Sequence, residues 1–389
     1  MIGTEAGRLL FFELDSEELI RKPVWSFEID RPISSSPAVV DGAVYFGGED
    51  GILYGLGEAD KDVETVHIRP IGGPEEIEVT GHAWPTPGGD MGFSCVAPKS
   101  SIKPPYDLDW KTRIWSTTKG PMILADGKVF CGGRGGALTA LNAAHGEILW
   151  RTHHPGVESR PGPTWHDDKV LIMRTRAKQG DSPHIRGASG GPRSGEGLWC
   201  HDDETGDVLW QYNIPFAYHF NLDGVCAYKD RVFLCEVDKD KTLKALALDL
   251  NSGEVAWRIS LPVEIKTRWL PRFSGAVEDG IWYVGVSSGI TLAIDALKGE
   301  VIWFKDDLGI DGRTRVSARH GKVLVFNKNG AHAYEGRTGR FLWQHAGDRG
   351  NSYYYQQALT DLFLDSEGEE GRFRVSGCHW NVYANGYWY

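Results

Sequence analysis

No apolar run in this sequence reaches the roughly 18 residues that a membrane-spanning helix needs, so it contains no candidate span of that kind. Positive charge is also scarce: 42 Lys+Arg stand against 53 Asp+Glu, a formal charge of −11. Phosphate backbones are bound through a basic field, so a general nucleic-acid binder is excluded. The six cysteines, at 95, 131, 200, 226, 235 and 378, form no CxxC, no adjacent pair and no zinc-ligand spacing. They read as small buried hydrophobes, with room for one disulfide whose position the sequence does not give. Met1-Ile2-Gly3 opens neither the basic region nor the apolar core of a secretory leader. On this reading the protein is cytoplasmic or has lost a leader, and its compartment stays open.

Glycine and aromatic residues are plentiful instead: 49 Gly, 15 Trp, 14 Tyr and 15 Phe in 389 residues. That composition fits short strands and tight turns, and disfavours a helix bundle, a collagen-like chain or a disordered one. The length allows two domains, but repeated all-β architectures run longer as one unit.

A phrase recurs through the chain: AHGEILW (144–150), ETGDVLW (204–210), NSGEVAW (251–257), LKGEVIW (297–303) and RTGRFLW (337–343). After each Trp and a loop come a strand, a turn and a second strand, as in SSPAVVDGAVYFG (35–47) and GAVEDGIWYVG (275–285). The turn is often Asp-Gly, which tolerates the positive φ of a two-residue hairpin. A third strand, such as GALTAL (136–141), leads into the next phrase. Each unit is thus four antiparallel strands, A to D, the signature of a β-propeller blade. The Trp of each phrase is expected to pack as a buried wedge between blades.

Trp25, Trp110, Trp150, Trp210, Trp257, Trp303 and Trp343 mark seven such units. The expected fold is all-β, a single propeller domain over 1–389 with seven blades favoured and eight left open. Residues 8–25 read as strands C and D without A and B, and 378–389 as A and B without C and D. Sharing one blade between the termini would remove an exposed sheet edge.

These repeats, with the S-P-A-V-x-D-G-x-V-Y-F-G phrase, resemble the PQQ-like repeat family. That family includes quinoprotein alcohol dehydrogenases and BamB-type outer-membrane assembly propellers. The resemblance implies a periplasmic or secreted location and, for the BamB type, a protein partner. Dehydrogenases of the family typically carry a vicinal disulfide and a calcium held by acidic and amide side chains. The missing Cys-Cys pair and the short chain speak against bound PQQ here, so no cofactor is predicted.

Two insertions interrupt the repeat: 71–110, read as an enlarged D–A connection, and 175–196, an enlarged B–C connection. Both then lie on one face, the better candidate for function. Counting back seven residues from the A–B turns marks the channel mouth on that face. The count lands on Lys119, Arg160, Arg272 and Arg313, on Tyr354, near His219 and Asn221, and on the stretch His379-Trp380-Asn381. Arg268 and Arg315 lie in the same loops, and His82 near the same face.

Arginines collected at one mouth of an acidic protein suit a carboxylate or sulfate, and Tyr or Trp a sugar ring. Charge pairing between blades explains the same residues as well. The first functional expectation is therefore a binder of an anionic, uronate-type saccharide, extending to a lyase acting by β-elimination. In it His219, His379 and Tyr354 move protons while Arg160, Arg272 and Arg313 clamp the carboxylate. His153, His154, His219, His379 and His82 also leave a divalent metal open. The alternative is a BamB-like scaffold without catalytic groups, and a quinoprotein-like oxidoreductase stands third.

Overall fold

The computed structural model describes residues 1–4, 6–13, 23–33, 35, 37–40, 43–58, 83–93, 105–114, 121–133, 136–154, 157–158, 162–176, 197–214, 220–221, 225–237, 242–264, 272–286, 288–306, 308, 314–327, 330–346, 383–384 and 387–388. The elements named among the described residues are all β-strands, and the chain forms an all-β propeller whose described strands make seven sheets. No helix among the described residues is long and apolar enough to cross a membrane.

In chain order from the second sheet, each runs A–B–C–D with neighbours antiparallel. Sheet II comprises Ala38–Val40, Ala43–Gly47, Ile52–Glu58 and Tyr106–Arg113. Sheet III comprises Met122–Ala125, Lys128–Gly132, Leu138–Asn142 and Ile148–Thr152. Sheet IV is built from Thr164–Trp165, Lys169–Arg176, Gly197–Asp202 and Val208–Asn213, with Val157–Glu158 added. Sheet V holds Cys226–Tyr228, Arg231–Val237, Thr242–Asp249 and Val255–Glu264. Sheet VI holds Arg272–Glu278, Ile281–Val286, Ile290–Asp295 and Val301–Lys305. Sheet VII holds Arg315–Arg319, Lys322–Asn327, Gly330–Glu335 and Phe341–Ala346.

Sheet I joins the two ends. Tyr383–Ala384 pairs with Tyr387–Trp388, which pairs with Arg8–Glu13, which pairs with Trp25–Glu28. The expected sharing of one sheet between the termini is therefore present.

The recurring phrase has a mechanical role. Its Gly adopts positive φ at 146, 206, 253, 299 and 339, between 67° and 77°. At each of these a Cβ would run into the Trp ring of the preceding sheet: Trp110, Trp150, Trp210, Trp257 and Trp303 in turn. The same rings donate Nε1–H across the junction to a backbone carbonyl of the next sheet. The distances are 2.9 Å to Ala143, 2.8 Å to Asp203, 2.8 Å to Leu250, 3.1 Å to Ala296 and 2.6 Å to Gly336. Flat ring on bare backbone plus one satisfied indole N–H makes each junction close-fitting and directional. Trp110, Trp150, Trp210 and Trp303 are each 8% exposed, while Trp25, Trp257 and Trp343 are half-buried.

One connection differs from expectation. Tyr106–Arg113 pairs along Ile52–Glu58, so the first insertion joins strands C and D of sheet II and is not a D–A connection. It leaves the sheet at the end where the A–B turns also lie. The second insertion does join B to C, in sheet IV.

Candidate functional site

The described part of the first insertion, residues 83–93, packs against the innermost strands. Trp84 and Leu124 of sheet III exchange backbone hydrogen bonds at 2.6 and 3.0 Å. Trp165 N–H of sheet IV donates to the Pro85 carbonyl at 2.7 Å. In sheet V, Ala227 N–H donates to Met91 Sδ at 3.4 Å. Val277 of sheet VI donates to the Met91 carbonyl at 2.7 Å, and Ala318 of sheet VII to that of Gly92 at 2.8 Å. Five of the seven sheets thus meet one short segment.

These five positions share a register. Leu124, Trp165, Ala227, Val277 and Ala318 each stand two residues before the A–B turn, whose first residues Asp126, Asp167, Lys229, Asp279 and His320 have positive φ. An innermost strand has an unpaired edge facing the axis, and a buried amide without an acceptor is costly. The segment supplies those acceptors, so it plugs the axis at the A–B-turn end.

The plug is internally braced. Thr86 Oγ1 donates to the Asp90 carbonyl at 2.6 Å, and Phe93 N–H donates to the same carbonyl at 3.0 Å. Phe93 is fully buried with φ 52°, a costly conformation for a bulky side chain. Ser317 of sheet VII holds it there, donating Oγ–H to the Phe93 carbonyl at 2.8 Å. A Cβ at Gly92 would collide with the Ala318 carbonyl oxygen, so the close approach requires glycine. Beside the plug, Trp165 Nε1 donates to Asp203 Oδ2 at 2.7 Å, and burial raises that carboxyl above its ordinary range.

Most residues expected at the opposite mouth lie outside the described residues: His82, Lys119, Arg160, His219, Arg268, Arg313, Tyr354, His379, Trp380 and Asn381. For Asn221 and Arg272 the backbone is described. Phe220–Asn221 pairs in parallel with the first strand of sheet VI, Phe220 opposite Arg272 and Asn221 opposite Phe273. The structure therefore brings these two expected positions to adjacent rungs. Arg315 opens the inner strand of sheet VII, half-buried, rather than lying in a loop. Among the described residues no group of three or more His, Cys, Asp or Glu is placed to hold a metal ion. Cys131, Cys200, Cys226 and Cys235 are buried free thiols, and burial pushes Cys131 and Cys200 up to about 12. Cys95 and Cys378 lie outside the described residues.

Three positions of note fall outside the expected set: Met91 and Phe93 in the plug, and Arg174 in the wall between sheets III and IV. Arg174 interrupts the apolar strand KVLIMRTR, a signal readable in the sequence.

A ring of four-stranded sheets locked by Gly and Trp defines a propeller of the PQQ-like repeat class. The family described as "Outer membrane protein assembly factor BamB" matches residues 107–219 and 194–365, more than half of the chain, and the chain belongs to that family. A polyvinylalcohol dehydrogenase from a Pseudomonas species is 24% identical over 294 residues, covering 69% of this chain and 40% of that protein. The outer membrane protein assembly factor BamB of Shewanella oneidensis is 21% identical over 254 residues, covering 62% of this chain and 58% of its own length. The chain thus spans about half the length of these curated relatives. A europium-containing methanol dehydrogenase superposes with a TM-score of 0.50 at 12% identity, over 98% of this chain and 76% of that one, a likeness of fold alone.

Proposed function

We propose that this chain is a propeller scaffold that docks a protein partner, as the description of its family as an assembly factor suggests. The observation that carries the reading is the plugged axis. Folds host unrelated sites, and a concave channel mouth is one place where a propeller can take a small ligand. Here one mouth is occupied by the chain's own residues 83–93, bonded to five inner strands. Surface left for recognition includes the outer strands, where Leu149, Leu209, Ile302, Phe304 and Phe341 are exposed.

Site-specific photocrosslinking tests it. A photoreactive residue at Leu149, Leu209, Ile302 or Phe341, in cells that produce the protein, is expected to give one discrete protein adduct from neighbouring positions. Failure of every position to yield a discrete adduct rejects the scaffold reading. The saccharide reading rests on the arginines gathered by the seven-residue count, and calorimetry with an oligogalacturonate tests it directly. A saturable heat that is lost in Arg272→Ala would restore it.

A further inference from the structure

The junction between sheets III and IV holds a charge that no residue with a described side chain balances. Arg174 is 1% exposed, with Gly197 as its register partner. It lies on the same strand face as Val170 and Ile172, which pack against sheet III. Its guanidinium carbon sits 4.4 Å from the centroid of the Trp199 ring. Nη2 donates to His201 Nε2 at 3.1 Å, and His201 Nδ1 donates to the Gly206 carbonyl at 2.8 Å. An imidazole that accepts on Nε2 while donating from Nδ1 is neutral, so His201 lends no counter-charge.

Four further polar atoms at this junction are unpaired. Arg174 Nε and Nη1 are buried with no hydrogen-bond partner. From the sheet III side, His154 packs edge-on against Trp199 with centroids 4.5 Å apart, and 5.9 Å from His201. Its Nε2 is buried without a partner, as is Thr152 Oγ1 on the last residue of the sheet III outer strand. Burial lowers Arg174 to about 10 and His201 to about 4; burial, then the nearby Arg174 charge, takes His154 to about 4. At neutral pH the cluster thus carries one positive charge, out of water and rich in donors. Such a charge is strongly unfavourable unless an anion meets it.

We propose that this junction binds one compact monovalent anion, a halide or a formate-sized carboxylate, with Arg174 as its charge. Monovalence follows from the single cation. Compactness follows from the near-complete burial of Arg174 beneath Trp199, His201 and His154. Unpaired polar groups stand on both sheets, so the anion would tie sheet III to sheet IV at the end away from the plug.

The test compares melting of the full chain in sodium chloride and in sodium gluconate at equal ionic strength and pH 7.5. Chloride is expected to raise the melting temperature saturably, by about 3 °C or more at high occupancy. Arg174→Met is expected to melt alike in both salts. A chloride effect that survives in Arg174→Met is general salt action and overturns the proposal. Crystals of the unaltered protein grown in bromide give a second readout that does not depend on the variant folding. An anomalous peak beside Arg174 Nε and Nη1 supports the site. No peak, with melting indifferent to the anion, overturns it and places the counter-charge within the chain; stability lost in Glu158→Gln, on the strand that pairs with Lys169–Arg176 at Thr175, would then show where.

Discussion

The junction between sheets VI and VII and that between sheets III and IV start from the same parts and end differently. In the first, Trp303 lies between Tyr283 and Tyr334, at 6.2 and 6.1 Å, with Gly339 beneath its ring. Ala276, Ile281, Val316, Val323 and Val325 complete an apolar wall. In the second, Trp150 meets Phe130 at 5.9 Å above Gly206, among Ile123, Leu138, Ala140 and Ile172. Beyond Ile172 that wall turns polar, with Arg174, Trp199, His201 and His154. The repeat dictates each junction where Gly meets Trp. Toward the B–C end that constraint lapses, and the sequence is free to place a charge there.

Truncating the shared part should hurt most. Trp303→Ala removes a large core ring and its bond to Gly336, and is expected to cost about 3–5 kcal/mol in urea unfolding. Arg174→Met, measured in gluconate, removes a charge that nothing described balances, and is expected to cost far less or to stabilise. Equal losses for the two variants would erase the distinction between the junctions.

The next effect is acid sensitivity confined to the polar junction. His201 is held near 4 in the folded protein, while an unfolded histidine titrates near 6.5. The unfolded chain therefore takes up the proton first, and stability falls as pH drops from about 6.5 toward 4. The gap corresponds to a loss on the order of 3 kcal/mol, since each unit of pKa is about 1.4 kcal/mol. His201→Gln should lessen the slope of this part of the stability–pH curve measured by urea unfolding, leaving the smaller share of His154, which is also lowered to about 4. A slope as steep in His201→Gln as in the unaltered protein would assign it elsewhere.

Legibility in the sequence follows the same division. The Gly-x-x-x-Trp phrase and the Asp-Gly turns are local and periodic, so docking tryptophans, hairpins and the shared terminal sheet can all be read from them. Asp126, Asp279 and their neighbouring glycines do adopt the positive φ that such a hairpin needs. Trp110 shows where periodicity gives out. Tyr106 stands where the phrase has Gly, so the strand Tyr106–Arg113 merges with the insertion and the connection is placed on the wrong side of it. The plug is illegible for another reason. Its partners Leu124, Trp165, Ala227, Val277 and Ala318 are engaged through their backbone amides, which leave no mark on side-chain identity. The seven-residue count from the turns falls mostly on residues outside those described, whereas the ring that the structure ties together lies two residues before the turns.

The smallest contrast lies in the C–D turns that carry the glycines. At the sheet III–IV junction, Asp202 Oδ1 accepts from the amides of Glu204 and Thr205, at 3.1 and 2.8 Å. These bonds, led by that from Thr205, hold its carboxyl below the usual range. The corresponding residue at the other junction is Glu335, one methylene longer. Its Oε2 accepts from Thr338 Oγ1 at 2.6 Å and Arg340 Nε at 3.4 Å, both side-chain donors. A short side chain that caps backbone amides is typically worth about 1 kcal/mol, so Asp202→Ala should cost roughly that much. Sheet III already carries Asn at this place, where Asn142 Oδ1 accepts from Ala144 N–H at 2.9 Å. The turn therefore needs an acceptor oxygen and not a charge, and Asp202→Asn is expected to melt like the unaltered protein at neutral pH. Glu335→Ala, which removes no backbone cap, is expected to leave the melting temperature unchanged. A drop in Glu335→Ala as large as that in Asp202→Ala would mean that the two turns are held by the same means.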